Sequence, residues 1–493
     1  MAGQAASGLI VAALVGALTW FFNGHGLLLG IAVGLVVAGT VWLVTTSRTQ
    51  LALALFMVYI GAVDGYLKLG TGVAAVTLLR DVLLFAIVIG LLVRSQVQGR
   101  RLTVPPLTWW VGGFVALVFV QVFNPNAGTI AHSLAGVRQH LEFVPLFFLT
   151  FTFVRTTKAL RTFVVLLVLI AAGNGIASWA QFNMTPEQFA AWGPGYSDRV
   201  LAKGEFVAAG RSFADATDTN RTRPFGLGSE AGSGGITGVL ALGGIVALAS
   251  LVRRRRYLLF SAAMAIGAVT AILTSQGRGV VVTGFVVIFM YALLTMTSRG
   301  RVRGLLALAT AGIVAFLVVQ SIVGSAGSST FRYEGLTADK LAQTTAEARP
   351  GNSAAIVTTM TSYPLGAGLA TAGPASGSTG GSTLTRSVNA ESEFTFLTLE
   401  TGIAGMVLLV GFTITLLVLG IWRLRREPDR EARTLLAALI APIGGMIVLY
   451  YPSAVTATTP TAPYLWAIGG IVSYWLVARP ADRRREVTEA RPS

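Results

Sequence analysis

The feature that most constrains this chain is the recurrence of apolar runs long enough to cross a hydrocarbon core as helices, with charge confined to the joints between them. A span takes roughly 17–25 helical residues, and about fourteen runs meet that length. They lie near 8–22, 26–46, 50–68, 74–94, 107–123, 139–155, 160–181, 229–252, 256–275, 279–297, 303–323, 393–421, 432–452 and 462–478. Only 12% of the residues are charged and 54% are hydrophobic, more apolar than a soluble core of this length requires. The expected fold class is therefore all-α, a polytopic membrane protein with about fourteen transmembrane helices and two long extracytoplasmic loops. The first run has no basic flank and is followed at once by a second, so it reads as a helix rather than a signal peptide.

A net charge of +16 invites a nucleic-acid reading, but the basic residues sit in short runs between apolar segments. That distribution is a topology signal, and no nucleic-acid partner is expected. With the N terminus inside, the loops returned to the cytoplasm are Ser47-Arg48, Arg94 to Arg101, Arg155 to Arg161, Arg253 to Arg256, Arg299 to Arg303, Arg423 to Arg430 and the tail from Arg479, all basic. The opposite loops are less so, and two of them, 183–228 and 324–390, are long. The chain then divides into N-terminal helices (1–130), a central core (131–323) carrying the 183–228 loop, a large outer loop (324–392), C-terminal helices (393–478) and a basic tail (479–493). The expected location is a plasma membrane, with both termini cytoplasmic. The absence of cysteine excludes disulfides and thiolate chemistry, and His25, His132 and His140 lack metal-ligand spacing. No metal or other cofactor is expected.

Several arginines on the outer side break the charge bias. Arg138 lies in Val137-Arg-Gln-His-Leu-Glu142; Arg211, Arg221 and Arg223 lie in the first long loop; Arg278 sits in Thr274-Ser-Gln-Gly-Arg-Gly279; Arg332, Arg349 and Arg386 lie in the second long loop. Guanidinium groups bind phosphate oxygens bidentately, so a diphosphate is the natural ligand for such a set. Arg211, Arg221, Arg332 and Arg386 also fit headgroup anchoring or solvated loops. A two-glycine turn between membrane helices has no structural need for Arg278, and the glycines let a ligand approach the backbone. Arg223 precedes a proline, a Gly-rich stretch and a helix start, where anchoring and anion binding are both open. No strand is expected ahead of the glycine-rich stretches, which are therefore not read as nucleotide fingerprints.

The run Ser387-Val-Asn-Ala-Glu-Ser-Glu-Phe-Thr-Phe-Leu-Thr-Leu-Glu-Thr-Gly402 leads from a polar loop into an apolar helix. Glu391 falls at the polar mouth, with Glu393 and Glu400 deeper and two turns apart on one face. Glu391 and Glu393 could complement the helix dipole, with Asn389 or Ser387 as cap, but that leaves Glu400 unexplained. Asp64, Arg80 and Asp81 lie in the outer part of their spans, either as a buried structural set or as part of the same cavity.

These pieces together resemble the O-antigen ligase and O-antigen polymerase superfamily of bacterial envelope glycosyltransferases. Arg223-Pro-Phe-Gly226 looks like its arginine–glycine element, and Thr274-Ser-Gln-Gly-Arg-Gly279 is similar to its Ser-Arg-Gly turn. Tyr363-Pro-Leu-Gly-Ala-Gly368 looks like its Pro-Leu-x-Gly-x-Gly segment, and Glu391 to Gly402 matches its acidic helix ending in Glu-x-Gly. The chain departs from the ligases, which have a histidine where Glu391 stands, so a polymerase or another polysaccharide transferase fits better.

The resemblance implies a donor glycan on a polyprenyl diphosphate, a polysaccharide or glycolipid acceptor, and inversion at the anomeric carbon. Arg223 and Arg278, with Arg138, would hold the diphosphate. Glu391 would act as general base. Arg211, Arg221, Asn389, Glu393 and Glu400 would line the substrate site. The rival from another class is a transporter or flippase for a lipid-linked oligosaccharide. Transporters tend towards repeated halves and a midplane site, whereas here the ionisable residues gather near one face.

Overall fold

The computed structural model describes residues 27–73, 76–99, 103–201, 212–214, 220–251, 255–295, 350–378, 390 and 392–478. In chain order the helices are α1 (Leu27–Thr45), α2 (Thr49–Thr71), α3 (Val76–Val97), α4 (Thr108–Gln121), α5 (Ile130–Leu141), α6 (Pro145–Phe153) and α7 (Thr157–Asn183). Two short helices, α8 (Pro186–Ala190) and α9 (Pro194–Val200), precede α10 (Ser233–Leu251), α11 (Arg255–Thr274) and α12 (Arg278–Thr295). The C-terminal part holds α13 (Pro350–Ser362), α14 (Gly373–Ser378), α15 (Glu393–Leu424), α16 (Arg430–Leu449) and α17 (Thr461–Val477).

Seven helices among the described residues, α2, α3, α7, α10, α12, α15 and α16, are long and apolar enough to cross a membrane. Their outward faces agree with that. On α3, Leu78, Val82, Phe85, Ile89 and Leu92 recur at helical spacing and are all exposed, a stripe that water would not tolerate but acyl chains would cover. Val407, Ile414, Val418 and Trp422 are exposed on α15 as well. Inside, α10 packs on α7 and α11, α12 on α16, and α17 on α6. The core between them is aromatic and aliphatic, with Phe147 edge-on to Phe412 at 5.7 Å and Phe412 stacked on Trp466 at 5.3 Å.

The expected runs at 8–22 and 303–323 lie outside the described residues. Two other expectations from the sequence change. The expected span 139–155 is instead two pieces, because α5 ends at Leu141 and Pro145 opens α6. Proline has no N–H to lose at a first helical position, but would break a continuing helix. The fold is helical but not wholly so: in the 183–228 segment Ser212–Ala214 and Asn220–Thr222 form β1 and β2, an antiparallel pair with Phe213 opposite Arg221.

Two irregularities in the long helices matter for the site. Tyr59–Val63 in α2 is π-helical, and Gly61 O there accepts a hydrogen bond from Asn174 Nδ2 of α7 at 2.9 Å. In α15, Gly402 has φ 74° and ψ 179°, a conformation essentially reserved for glycine. The break lets Tyr363-Pro-Leu-Gly-Ala-Gly368 dock alongside, with Ala367 N donating to Leu399 O (2.6 Å) and Ile403 N to Pro364 O (3.0 Å). A Cβ at Gly402 would meet Leu365 C at 2.7 Å and Pro364 O at 2.8 Å. Gly402→Ala is therefore expected to cost at least about 1–3 kcal/mol from backbone strain alone. The check is a thermal unfolding midpoint in detergent, which must fall; an unchanged midpoint would contradict this account of the break.

Candidate functional site

Two of the four sequence elements meet at one turn. Phe225 N and Gly226 N both donate to Gln181 Oε1 (2.9 and 2.8 Å), and Gly226 O accepts from Gln181 Nε2 at 2.8 Å. Two turns further down the same face of α7, Asn174 Oδ1 accepts from Leu227 N at 2.9 Å. A buried amide can satisfy backbone donors and acceptors together, so these two side chains hold the Arg223-Pro-Phe-Gly loop where water is excluded. The loop closes on the start of α10 through Gly232 N to Pro224 O (2.8 Å) and Gly234 N to Phe225 O (3.1 Å). It is roofed by α8 and α9, whose Phe189 and Tyr196 pack on Phe225, the last pair stacked at 6.0 Å. Tyr196 is fully buried there, and burial pushes its phenol pKa up.

From this loop Arg223 reaches the turn before α12, donating from Nε to Ser275 O at 2.9 Å. Its guanidinium fits because the neighbours are glycines: a Cβ on Gly232 would fall 2.7 Å from Arg223 Nη2, and one on Gly277 2.9 Å from it. The turn then delivers Arg278 as the first residue of α12. Two arginines thus belong to one turn at a helix N terminus, residue types that suit an anion. Beside it, Gly279 faces Leu449 and Pro452, at the end of α16.

The same end of α16 seats the start of α15. Glu393 N donates to Tyr450 O at 2.9 Å, and Ser392 caps the helix by accepting from Phe394 N at 3.2 Å. The Glu393 carboxylate is completely buried and accepts from Thr456 N at 3.0 Å, from Val455 N and from the Thr456 hydroxyl. These bonds tie the start of α15 to the α16–α17 connection.

Glu400, two turns on, is equally buried and meets residues that the sequence did not pair with it. His140 Nε2 lies 2.8 Å from Glu400 Oε2, Gln139 Nε2 donates to the same oxygen at 3.3 Å, and Ala372 N donates to Oε1 at 3.0 Å. His140 stacks on Phe396 at 5.4 Å and stands edge-on to Phe114. Gln139 also accepts from Ala375 N at 2.7 Å, tying α5 to α14.

The neighbouring residues of Val137-Arg-Gln-His-Leu-Glu142 work in the opposite direction, towards α2 and α3. Arg138 donates to Asp81 Oδ2 (2.6 Å) and to Thr77 O (2.7 Å). Arg80 joins Glu142 (2.8 Å) and Asp64 (3.4 Å), all with little exposure. Of the two readings open for Asp64, Arg80 and Asp81, the contacts are those of a partly buried network of ion pairs in which two arginines serve three carboxylates. Arg138 belongs to it, which leaves its charge already matched by Asp81.

Glu391, Asn389, Arg211, Arg332, Arg349 and Arg386 lie outside the described residues, and of Arg221 only the backbone, in β2, is described. Among the described residues no group of three or more His, Asp or Glu could hold a metal ion.

No protein-family model matches the chain, and no curated protein matches it. Among solved structures, one similar chain belongs to a structure described as the structural coordination of polymerization and crosslinking by a peptidoglycan synthase complex. It is 14% identical, with 75% of this chain and 96% of that chain covered and a TM-score of 0.38. A likeness that loose carries no argument about activity.

Proposed function

We propose that the chain is an integral membrane glycosyltransferase that moves a glycan from a polyprenyl-diphosphate donor to an acceptor hydroxyl, on the face bearing the 183–228 and 324–390 segments. The observation that carries this reading is the joining of Arg223 to the Ser275–Arg278 turn by a hydrogen bond from a loop that buried amides hold rigid. Guanidinium groups at a helix N terminus suit a diphosphate whose negative charge grows as it leaves.

In the proposed reaction the acceptor oxygen attacks the anomeric carbon as the bond from that carbon to the diphosphate oxygen breaks. The bonding electrons leave with the polyprenyl diphosphate, which Arg223 and Arg278 hold, and the acceptor proton passes to Glu391. A single displacement inverts the anomeric carbon. Arg211, Arg221 and Asn389 are proposed to contact substrate. Arg138, Glu393 and Glu400, engaged by Asp81, the 455–456 backbone and His140, are proposed to position the elements around it.

The role of Glu391 is tested in detergent with a polyprenyl-diphosphate glycan donor and a polysaccharide acceptor. Glu391→Gln removes the proton acceptor at almost unchanged size, and loss of a general base lowers turnover by about 10²–10⁴-fold. Turnover retained in Glu391→Gln, in a folded protein, would return that residue to helix capping and move the base elsewhere.

A further inference from the structure

At the opposite end of α7 lies a cavity of about 150 Å³ between α2, the end of α6 and the first turns of α7. Lys158 and Gln181 are 23 positions apart on α7, so at 1.5 Å per residue this cavity is about 35 Å from the arginine turn. Its lining is graded. Gln50 and Lys158 stand at the ends of α2 and α7 nearest the basic loops, whereas Leu53 and Met57 on α2, and Phe163 and Leu166 on α7, follow deeper in. Both helices run the same way from that end, so Gln50, Thr156 and Lys158 form a polar mouth beside Phe153 and Val154, and the interior over about 10 Å is apolar apart from Thr162.

Lys158 is exposed and makes no ion pair among the described residues, whereas nearby Arg161 is held by Glu431 at 2.6 Å. The start of α7 adds its own positive dipole end at the mouth, and Arg48 stands two residues before Gln50. Gln50 Nε2 donates to Phe153 O at 3.0 Å, which fixes the start of α2 against the end of α6. A cationic mouth leading into an apolar slot between helices is complementary to an anionic amphiphile.

The geometry points to a binding site for one anionic diacyl phospholipid, with its phosphate at Lys158 and an acyl chain between α2 and α7. The site is independent of the catalytic proposal, since none of its lining residues takes part there.

The test uses the full-length protein, delipidated in detergent and titrated by native mass spectrometry with phosphatidylglycerol or phosphatidylcholine of the same acyl chains. The expected result is one retained phosphatidylglycerol, bound at least about tenfold more tightly than phosphatidylcholine, a preference of about 1.4 kcal/mol. Lys158→Glu, at an exposed position, removes the preference, and Leu53→Trp, which fills the slot, lowers binding of both lipids. Equal binding of the two lipids by wild type, or a preference that survives Lys158→Glu, overturns the proposal. So does displacement of phosphatidylglycerol by an equimolar polyprenyl phosphate, which would make the occupant the carrier lipid instead.

Discussion

Arg278→Ala is expected to lower turnover with a polyprenyl-diphosphate donor by about 10²–10³-fold, the loss seen when one donor to a developing oxyanion is removed. The residue begins α12 after a glycine turn, and alanine is a good helix former at that position, so the helix is expected to form without the guanidinium. Arg278→Lys keeps the charge but not the planar fork, and should recover only part of the rate. Arg223→Ala is a less clean probe. It would also leave the buried Ser275 carbonyl without its donor and open a gap between Gly232 and Gly277, adding about 1–3 kcal/mol of instability to any catalytic loss. The discriminating measurement is turnover in Arg278→Ala compared with its unfolding midpoint. A fall in rate at an unchanged midpoint supports a ligand role, and wild-type rate in a folded Arg278→Ala refutes it.

The second large effect is expected at Glu400, and on stability. Glu400→Ala strands the Ala372 N–H, Gln139 and His140 in a buried site and is expected to cost about 3–5 kcal/mol, as when one partner of a buried pair is deleted. Glu400→Gln preserves an acceptor for Ala372 N and should cost clearly less. His140→Ala leaves a carboxylate without its closest partner and a void against Phe396 and Phe114. Its cost should approach that of Glu400→Ala, and the double variant should cost less than the sum, because the two residues serve one interaction. Unfolding midpoints that simply add would contradict the pairing.

Much of the architecture was legible because a hydrocarbon core filters sequence severely. The limits expected for α10, α15, α16 and α17 fall within a few residues of those observed, since an apolar run bounded by polar joints leaves little choice. Arg223 and Arg278 are grouped in the sequence because both break the charge bias, and in the structure Arg223 donates to Ser275 in the turn that leads to Arg278. The His140–Glu400 pair was not legible. The two residues are 260 positions apart, and a histidine search built on metal spacing cannot find a histidine whose partner is a single distant carboxylate. A usable signal did exist: Arg138, Gln139, His140 and Glu142 crowd into one turn of an otherwise apolar region, and polar groups buried there need partners. Pro145 likewise marked the break between α5 and α6 that a length count alone passed over. The π-helical segment of α2 left no local signature, because it reflects Gly61 meeting Asn174 across the α2–α7 interface.

The central claim is that the donor's bond to diphosphate is broken, and the most direct measurement reconstitutes the purified chain in liposomes with a polyprenyl-diphosphate glycan and acceptor. Free polyprenyl diphosphate and lengthened or glycosylated acceptor are quantified alongside the side of the bilayer on which intact donor is found. The account predicts stoichiometric release of polyprenyl diphosphate with each glycan joined, strongly reduced in both Glu391→Gln and Arg278→Ala. Intact donor moved across the bilayer without release of polyprenyl diphosphate would contradict it and make the protein a carrier of the same ligand.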